Sequence, residues 1–342
     1  MVAPDADVLE DFVDSLAPGL LSALLKDHTR SKGLPDGAQA NIFWATGDYE
    51  HLGPAYAYDR DITPDLISGP GRGGIIVPRC LKGREAQVAR SKGMAEVFTP
   101  SWVCNAQNNL VDDAWFGRHG VFNAEVLLPD GRPDWEVNTE RVRFPEGKTW
   151  QDYVLARRME IACGEAPYLV SRYDTTTGRP IAVANRIGLL DRKLRVVSEN
   201  CHSSAEWLEW AKKSLMSVYA FEWQGDNLLL AREAVLMAFI EAYQDKFGTD
   251  VPRRSLPGVA YIVSWNLWQM DGTKGVVPNS CDNAVELAQP SLFSQDAPPR
   301  LVPCKCRACA NGEQTGHKGI RCLVKDWKSK KELVFDDIIH RR

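Results

Sequence analysis

Apolar residues near the start of the chain recur at helical spacing. Between Asp5 and Lys26 they are Leu9, Phe12, Val13, Leu16, Leu20, Leu21, Leu24 and Leu25. Residues three or four positions apart share one face of a helix. The pattern therefore predicts a pair of helices, separated at Pro18, that packs on the core of the protein.

Short apolar bursts alternate with helix-like stretches in the middle of the chain. The bursts lie at residues 159–162, 217–221 and 259–263. They are short and bounded, which is typical of buried parallel strands. Residues 205–216 and 227–247 carry apolar positions at helical spacing between the bursts. The alternation predicts an α/β fold from about residue 153 to residue 273.

Turn-forming residues separate the remaining elements. The glycine-rich run at 68–77 predicts a loop that enters a short strand at 75–77. Residues 92–113 begin as a turn and continue as a helix. Pro129-Asp-Gly-Arg-Pro133 predicts a hairpin turn inside an insertion at 117–148. A last short strand is expected at 332–335.

Composition changes along the chain divide it into four parts. They are an N-terminal helical and loop region (1–90), a central domain (91–281), a linker rich in Pro, Gln and Ser (282–303) and a C-terminal tail (304–342).

The overall composition is that of an ordinary globular protein. Of 342 residues, 44% are hydrophobic and 25% are charged, and the net charge is −4. No apolar run reaches the roughly 18 residues that suggest a membrane helix, and the N-terminus lacks the pattern of a signal peptide. The sequence therefore predicts a cytoplasmic protein with no membrane partner.

Charge is unevenly distributed, because the tail is basic. Residues 305–342 contain ten Lys and Arg residues against five Asp and Glu residues, a local charge of +5. Such a patch is suited to phosphate contacts. A solvated basic tail fits the same count equally well, so charge alone leaves both interpretations open.

The cysteines indicate a metal site. Five of the nine are scattered, whereas Cys304, Cys306, Cys309 and Cys322 crowd the tail. An odd total and one tight cluster favour reduced thiols over disulfides. The spacing Cys306-x2-Cys309-x7-His317-x4-Cys322 predicts a tetrahedral structural zinc site, with Cys304 as a spare or substitute ligand.

The expected role of this zinc is to fold a small knuckle in a tail too short for a core of its own. Basic and aromatic neighbours make nucleic acid contact a further expectation. They are Lys318, Arg321, Lys325, Trp327 and Lys328. The alternative is a clip that only fastens the tail to the main domain.

A candidate cofactor segment follows the first central burst. The run Glu160-Ile-Ala-Cys-Gly-Glu-Ala-Pro-Tyr-Leu169 predicts a strand that enters a Gly-bearing turn and then a helix. Doubly wound folds hold polar cofactor groups in this way, because small residues allow close approach and the helix N-terminus offers free N–H groups.

This run resembles the Asp-Pro-Ala-Cys-Gly-Ser-Gly-x-Phe-Leu motif of the gamma-type adenine-N6 DNA methyltransferases, the modification (M) subunits of restriction-modification systems. Ala95-Glu-Val-Phe-Thr-Pro100 resembles that family's Phe-Thr-Pro segment, and two later segments, 218–226 and 266–272, follow in the family's order. Ala166 and Pro167 depart from the motif. The resemblance covers about half of the chain.

The resemblance implies a doubly wound, Rossmann-like methyltransferase sheet that binds S-adenosylmethionine. The implied cofactor residues are Phe98, Thr99, Pro100, Glu160, Ala162, Cys163, Gly164, Glu222, Asp226 and Asp271. Glu222, with Asp226 second, is the expected partner of the ribose hydroxyls, and Asp271 is the expected partner of the adenine edge. Asp191 is a rival for the ribose, although its charged neighbours indicate an exposed helix or a phosphate contact.

The family's catalytic Asn/Asp-Pro-Pro-Tyr/Phe motif cannot be found. The diproline Pro298-Pro299 is preceded by Asp296 one residue too early and followed by Arg300 in place of an aromatic residue. Two hypotheses remain. The first is a DNA adenine-N6 methyltransferase with a diverged catalytic motif or a partner restriction or specificity subunit. The second is a catalytically inactive DNA-binding or regulatory subunit.

Overall fold

The computed structural model describes residues 8, 10–83, 99–282, 284–287 and 301–339. This part of the chain contains twelve α-helices and four small β-sheets, so the fold is mixed α/β. The predicted linker lies mostly outside the described residues, and so do Phe98, Asp296 and the diproline.

The helices are α1 (Glu10–Leu16), α2 (Leu20–Leu25), α3 (His28–Ser31), α4 (Pro64–Ile67), α5 (Ser101–Phe116), α6 (Trp150–Leu155), α7 (Leu189–Asn200), α8 (Ser204–Met216), α9 (Gly225–Phe247), α10 (Leu256–Asn266), α11 (Arg307–Asn311) and α12 (Phe335–Ile339). The strands are β1 (Asn123–Leu127), β2 (Pro133–Val137), β3 (Arg158–Ile161), β4 (Val218–Glu222), β5 (Leu267–Gln269), β6 (Val285–Leu287), β7 (Leu301–Pro303), β8 (Leu323–Asp326) and β9 (Lys331–Val334).

A three-stranded parallel sheet forms the centre, in the order β3-β4-β5. Glu160 of β3 lies opposite Ala220 of β4, which in turn lies opposite Leu267 of β5. The strands predicted at 159–162 and 217–221 are therefore present. So are the helices predicted at 205–216 and 227–247, as α8 and α9.

The third predicted strand was wrong. Residues 259–263 lie inside helix α10, and the strand is β5, directly after it. The apolar burst is buried on a helix instead of in a sheet, with Val259 and Val263 almost inaccessible to solvent. A short apolar run has the same composition in a buried helix and in a buried strand.

The doubly wound sheet stays a prediction. Within the described residues the largest sheet has three strands, and their order in space follows their order in the sequence. A doubly wound sheet also needs strands on the other side of β3, where the order reverses.

Helix α9 forms the middle of the core. Of its 23 residues, 18 are buried, so it is enclosed on most sides instead of being amphipathic. Helices α1 and α2 contribute Val13, Leu21 and Leu24 to the same apolar cluster. The predicted N-terminal helical pair thus packs on the core.

Two predictions about loops had opposite outcomes. The hairpin turn at 129–133 is present between β1 and β2, where the Leu128 N–H donates to the Arg132 carbonyl at 2.9 Å. The strand expected at 75–77 is absent, because those residues form bends and coil. The helix expected within 92–113 is α5, and residues 84–98 lie outside the described part.

Helix α7 was expected to be exposed but is buried. Arg192 donates to Asp112 Oδ2 at 2.7 Å, and Lys193 donates to the Val154 carbonyl at 3.0 Å. Asp191 Oδ2 accepts from the Ser171 N–H at 2.8 Å. A charge run is buried where each charge finds such a partner, and charge density alone cannot distinguish this case from a solvated face.

The C-terminal tail lies against the central sheet. The ring centroid of Phe335 is 5.3 Å from that of Trp268. The Trp327 indole donates to Asn266 Oδ1 at 2.7 Å, and the Leu323 N–H donates to Thr29 Oγ1 at 3.0 Å. The tail therefore shares the core of the main body, and its strand β9 matches the strand predicted at 332–335.

None of the helices in the described part combines the length and apolar character that crossing a bilayer requires.

His28 supplies a pH-dependent test of how the N-terminal region packs on helix α10. Its ring stacks on Trp265 at 4.0 Å, and its Nε2 lies 2.9 Å from Ser264 Oγ. Burial, reinforced by the charge of Arg232, lowers the pKa of His28 to about 2. The folded protein thus keeps a neutral ring, whereas the unfolded chain takes up a proton below about pH 6.5.

We expect His28 to stabilise the fold above pH 6.5 and to lose about 2 kcal/mol of that contribution at pH 5. Urea titrations of the wild type and His28→Gln at pH 7.5 and pH 5 measure it. The difference in unfolding free energy between the two proteins should shrink by this amount at the lower pH. A difference that stays constant with pH contradicts the assignment.

Candidate cofactor edge and metal centre

The loop after β3 has an unusual backbone. Ala162, Gly164 and Ala166 all have positive φ angles, of 50°, 53° and 60°. Glycine adopts this left-handed conformation freely, but each alanine there costs on the order of 1 kcal/mol or more. Such conformations persist where the surrounding structure imposes them, and they cluster at functional sites.

Two buried carboxylates hold this loop. The Gly164 N–H donates to Glu222 Oε2 at 2.9 Å, and the Leu169 N–H donates to Glu160 Oε2 at 3.1 Å. Burial raises the pKa of Glu160 to about 8 and also raises the pKa of Glu222, against the lowering effect of the N–H donors. The two residues lie on adjacent strands, β3 and β4, and each contacts the loop.

The segment around Thr99 and Pro100 contacts the same region. Thr175 Oγ1 donates to the Thr99 carbonyl at 3.1 Å, and Asn108 of α5 donates to the Tyr168 carbonyl at 3.0 Å. Asn108 and Tyr168, sixty positions apart in the sequence, are therefore neighbours. Phe98 lies outside the described residues.

The other three implied residues already have protein partners. Asp226 accepts from the Tyr49 hydroxyl at 2.8 Å and from the Lys82 ammonium at 3.2 Å. Asp271 accepts from the Thr273 N–H at 3.0 Å and pairs with Lys274 at 3.2 Å. The Cys163 thiol donates to the Gly164 carbonyl at 3.7 Å, and its burial raises its pKa well above the usual value and makes it unreactive.

The rival acid Asp191 caps a helix. Its Oδ2 accepts from the Gly188 N–H at 3.2 Å, at the start of α7, in addition to its bonds with Ser171. The described structure thus gives it a capping role in place of a ligand contact.

A second site lies where the tail meets the core. The Sγ atoms of Cys281, Cys306 and Cys309 lie 3.9, 3.7 and 3.4 Å from Nδ1 of His317. All four ligand atoms fall within 4.8 Å of one another. In a tetrahedral zinc site with Zn–S bonds of about 2.3 Å, ligand atoms are separated by about 3.8 Å. The cluster could therefore hold a metal ion such as zinc.

Cys322, predicted as the fourth ligand, lies elsewhere. Its side chain is fully buried in the core, and its Sγ donates to the Gln269 carbonyl at 3.4 Å. Cys281 takes its place, although it precedes His317 by 36 residues. Local spacing could not find it, because the chain returns to Cys281 only after folding. Cys304 is not a member of the cluster.

Backbone groups around the cluster orient its ligands. His317 Nε2 lies 3.0 Å from the Glu313 carbonyl, an acceptor that leaves Nδ1 free for a metal. The Lys318 N–H donates to Cys306 Sγ at 3.4 Å and lowers the pKa of that thiol to about 6. Burial and the neighbouring thiols raise the pKa of Cys281 to about 12. A bound cation would convert all three thiols to thiolates.

The cluster joins two distant parts of the chain. Cys281 belongs to the segment that follows β5, and the other three residues belong to the tail. The same segment contacts the tail through the Val277 N–H, which donates to the Ile320 carbonyl at 2.8 Å. A metal here would fasten the tail to the segment that begins at Asp271.

No protein-family model, curated protein or solved structure matches the chain. The methyltransferase family therefore rests on the resemblance in the sequence alone.

Proposed function

We propose that this protein is an S-adenosylmethionine-dependent DNA adenine-N6 methyltransferase, the modification subunit of a restriction-modification or phage-defence system. The cofactor would lie at the carboxyl ends of β3, β4 and β5, the edge at which parallel sheets bind ligands.

One observation carries the proposal. The loop at 162–166, with its left-handed alanines, contacts Glu222 at the end of the neighbouring strand. A backbone held in this way brings N–H groups close to a ligand, and a buried carboxylate beside it accepts hydrogen bonds from ribose hydroxyls. The Thr99 carbonyl accepts from Thr175 Oγ1, nine residues after this loop, so the Thr99 segment lies beside the same region.

The metal cluster has a structural part in this proposal. Four protein ligands complete a tetrahedral site and leave no position for substrate, as in structural zinc sites. Zinc would fix the tail on the core, while the basic residues of the tail contact DNA phosphates.

The alternative is a catalytically inactive DNA-binding or regulatory subunit. It is favoured by Asp226 and Asp271, whose carboxylates are already engaged by Lys82 and Lys274. A subunit of this kind would keep the fold and the metal but would transfer no methyl group.

We expect Glu222→Gln to weaken S-adenosylmethionine binding about tenfold or more, because a charged acceptor of two hydroxyl groups is lost. Calorimetric titration of the purified, zinc-loaded protein measures the affinity. Asp65→Asn, which changes an exposed carboxylate on α4, is the matched control and should bind as the wild type does.

A tritiated-methyl transfer assay on DNA then separates the two functions. Transfer by the wild type supports the methyltransferase. Cofactor binding without transfer, alone or with a partner subunit, favours the inactive subunit. A well-folded wild type that does not bind S-adenosylmethionine overturns the proposal.

A further inference from the structure

A small cleft opens between the N-terminal region and the loops that flank the metal cluster. Its volume is about 250 Å³. This is below the roughly 300 Å³ at which pockets for drug-sized ligands begin, so it suits a single ring system. Its lining includes Phe43 and Tyr58 from the N-terminal region and Asn279, Lys318 and Ile320 from the loops beside the metal cluster.

Tyr58 presents an unused aromatic face. Its side chain is 49% exposed. In the part of the chain that the structure describes, it makes no ring contact and no side-chain hydrogen bond. An aromatic face in this position can stack on a planar ligand, and every nucleobase offers such a face.

Asn279 presents an unused carboxamide. Its φ angle is +59°, a left-handed conformation that asparagine tolerates better than most residues. Within the described residues its side chain has no hydrogen-bond partner. A carboxamide offers one acceptor and one donor side by side, which matches the adjacent donor and acceptor on an edge of adenine.

Basic residues lie beside the cleft. Arg30 and Lys318 line it together with Asp59, and the Arg30 guanidinium is already paired with Asp61 at 2.8 Å. The guanidinium of Arg30 also lies over the ring of Phe43, 4.8 Å from its centroid. The basic tail continues from Lys318 and would meet the phosphates that flank a bound base.

The metal cluster positions one wall of this cleft. The Lys318 N–H donates to the ligand Cys306, and the Ile320 N–H donates to Ser280 Oγ at 2.9 Å, next to the ligand Cys281. At Gly319 the two segments approach so closely that an added Cβ would lie 2.5 Å from Ser280 Oγ. Asn279 and Lys318 therefore face the cleft from segments joined at the metal site.

We propose that this cleft is a nucleobase subsite, in which an unpaired adenine of DNA stacks on Tyr58 and pairs with the carboxamide of Asn279. The inference rests on the proposed function, because it supplies the aromatic face and the amide that the missing catalytic motif does not. The two groups come from opposite ends of the sequence. Enzymes that modify a base read it outside the helix by this combination of stacking and edge hydrogen bonds.

Fluorescence anisotropy with two single-stranded probes tests the subsite. One probe is fluorescein-labelled (dA)12, and the other has the same length and phosphates but abasic sugars throughout. The wild type should bind (dA)12 more tightly. Asn279→Gly and Tyr58→Ala should each weaken (dA)12 binding about tenfold and leave binding of the abasic probe unchanged.

Three variants separate this role from a structural one. Asn279→Gly removes the amide, and glycine adopts the left-handed backbone freely, so local backbone strain does not explain its effect. Tyr58→Phe keeps the stacking face and should bind (dA)12 as the wild type does. Phe12→Ala removes an exposed aromatic residue on α1 and is the matched control.

The outcomes distinguish this inference from the proposed function. Equal (dA)12 affinity in Asn279→Gly and the wild type overturns the subsite, as does a wild type with no preference for (dA)12 over the abasic probe. The S-adenosylmethionine titration is independent of both results. A protein that binds the cofactor normally but fails this test keeps its proposed function and loses only the subsite.

Discussion

Cys281→Ser is expected to remove tight zinc binding, whereas Cys322→Ala is expected to preserve it. The thiol of Cys281 lies among the ligand atoms of Cys306, Cys309 and His317, and the thiol of Cys322 is directed at the Gln269 carbonyl in the core. Loss of one thiolate from a four-ligand site should weaken zinc binding by roughly a hundredfold or more, since even neighbours of the ligands are worth 10- to 100-fold.

Competition with a chromophoric chelator measures the affinity, and elemental analysis measures the zinc content. The wild type and Cys322→Ala should retain one zinc per chain through dialysis, and Cys281→Ser should not. If Cys281→Ser retained zinc and Cys322→Ala lost it, the ligand would be Cys322, as the spacing in the tail predicts. That result would contradict the cluster that contains Cys281. Limited proteolysis adds a structural measure, because the tail of Cys281→Ser should be cleaved faster than that of the zinc-loaded wild type.

A large loss of stability is expected when Arg232, in the middle of α9, is substituted. Its guanidinium is fully buried and contacts carbonyl groups instead of a carboxylate. Nη2 donates to the Ser264 and Leu267 carbonyls at 3.1 and 2.7 Å, and Nη1 donates to the Lys26 carbonyl at 3.1 Å and also to that of Leu24. These acceptors lie at the C-terminal ends of α2 and α10, where helix dipoles favour a cation.

We expect Arg232→Met to lower the free energy of unfolding by about 3–5 kcal/mol, because the carbonyl groups at two helix ends lose their donors inside the core. Burial lowers the pKa of Arg232 to about 9, so the side chain remains charged at neutral pH. Urea denaturation at pH 7 gives the difference from the shift in midpoint at constant slope.

Two companion variants make this measurement specific. Arg132→Met changes an exposed arginine in the hairpin turn and should alter the stability by less than about 0.5 kcal/mol. Arg232→Lys keeps the charge but not the planar arrangement of donors, and its stability should be intermediate. A loss below about 1 kcal/mol in Arg232→Met would show that water or a rearranged side chain replaces the guanidinium.

The long amphipathic and buried elements were predictable because their information is local. Helices α8 and α9 carry apolar positions at helical spacing over a dozen residues or more, which only a helix satisfies well. The short apolar runs at 159–162, 217–221 and 259–263 are each compatible with either a strand or a helix. The first two lie in β3 and β4, whereas the third lies in α10, and the strand that pairs with β4 is β5, directly after that helix.

The candidate sites show the same division. The run from Glu160 to Leu169 and the three tail ligands Cys306, Cys309 and His317 are contiguous enough for their spacing to indicate a cofactor turn and a metal. The residues that complete each site come from distant parts of the sequence. Glu222 reaches the loop at Gly164 across 58 residues, and Cys281 joins the tail ligands across a segment that includes the predicted linker.

By itself, the sequence determined the alternating α/β centre, the helical pair at the start, the hairpin turn and three members of a Cys/His cluster that could hold a metal. Only the tertiary structure decided which cysteine completes that cluster, that the charged helix α7 is buried, and that Tyr58 and Asn279 share a cleft. Periodicity and spacing record which neighbours a residue has along the chain. Burial of a charge or closure of a four-ligand site depends on neighbours brought from far away, which folding alone supplies.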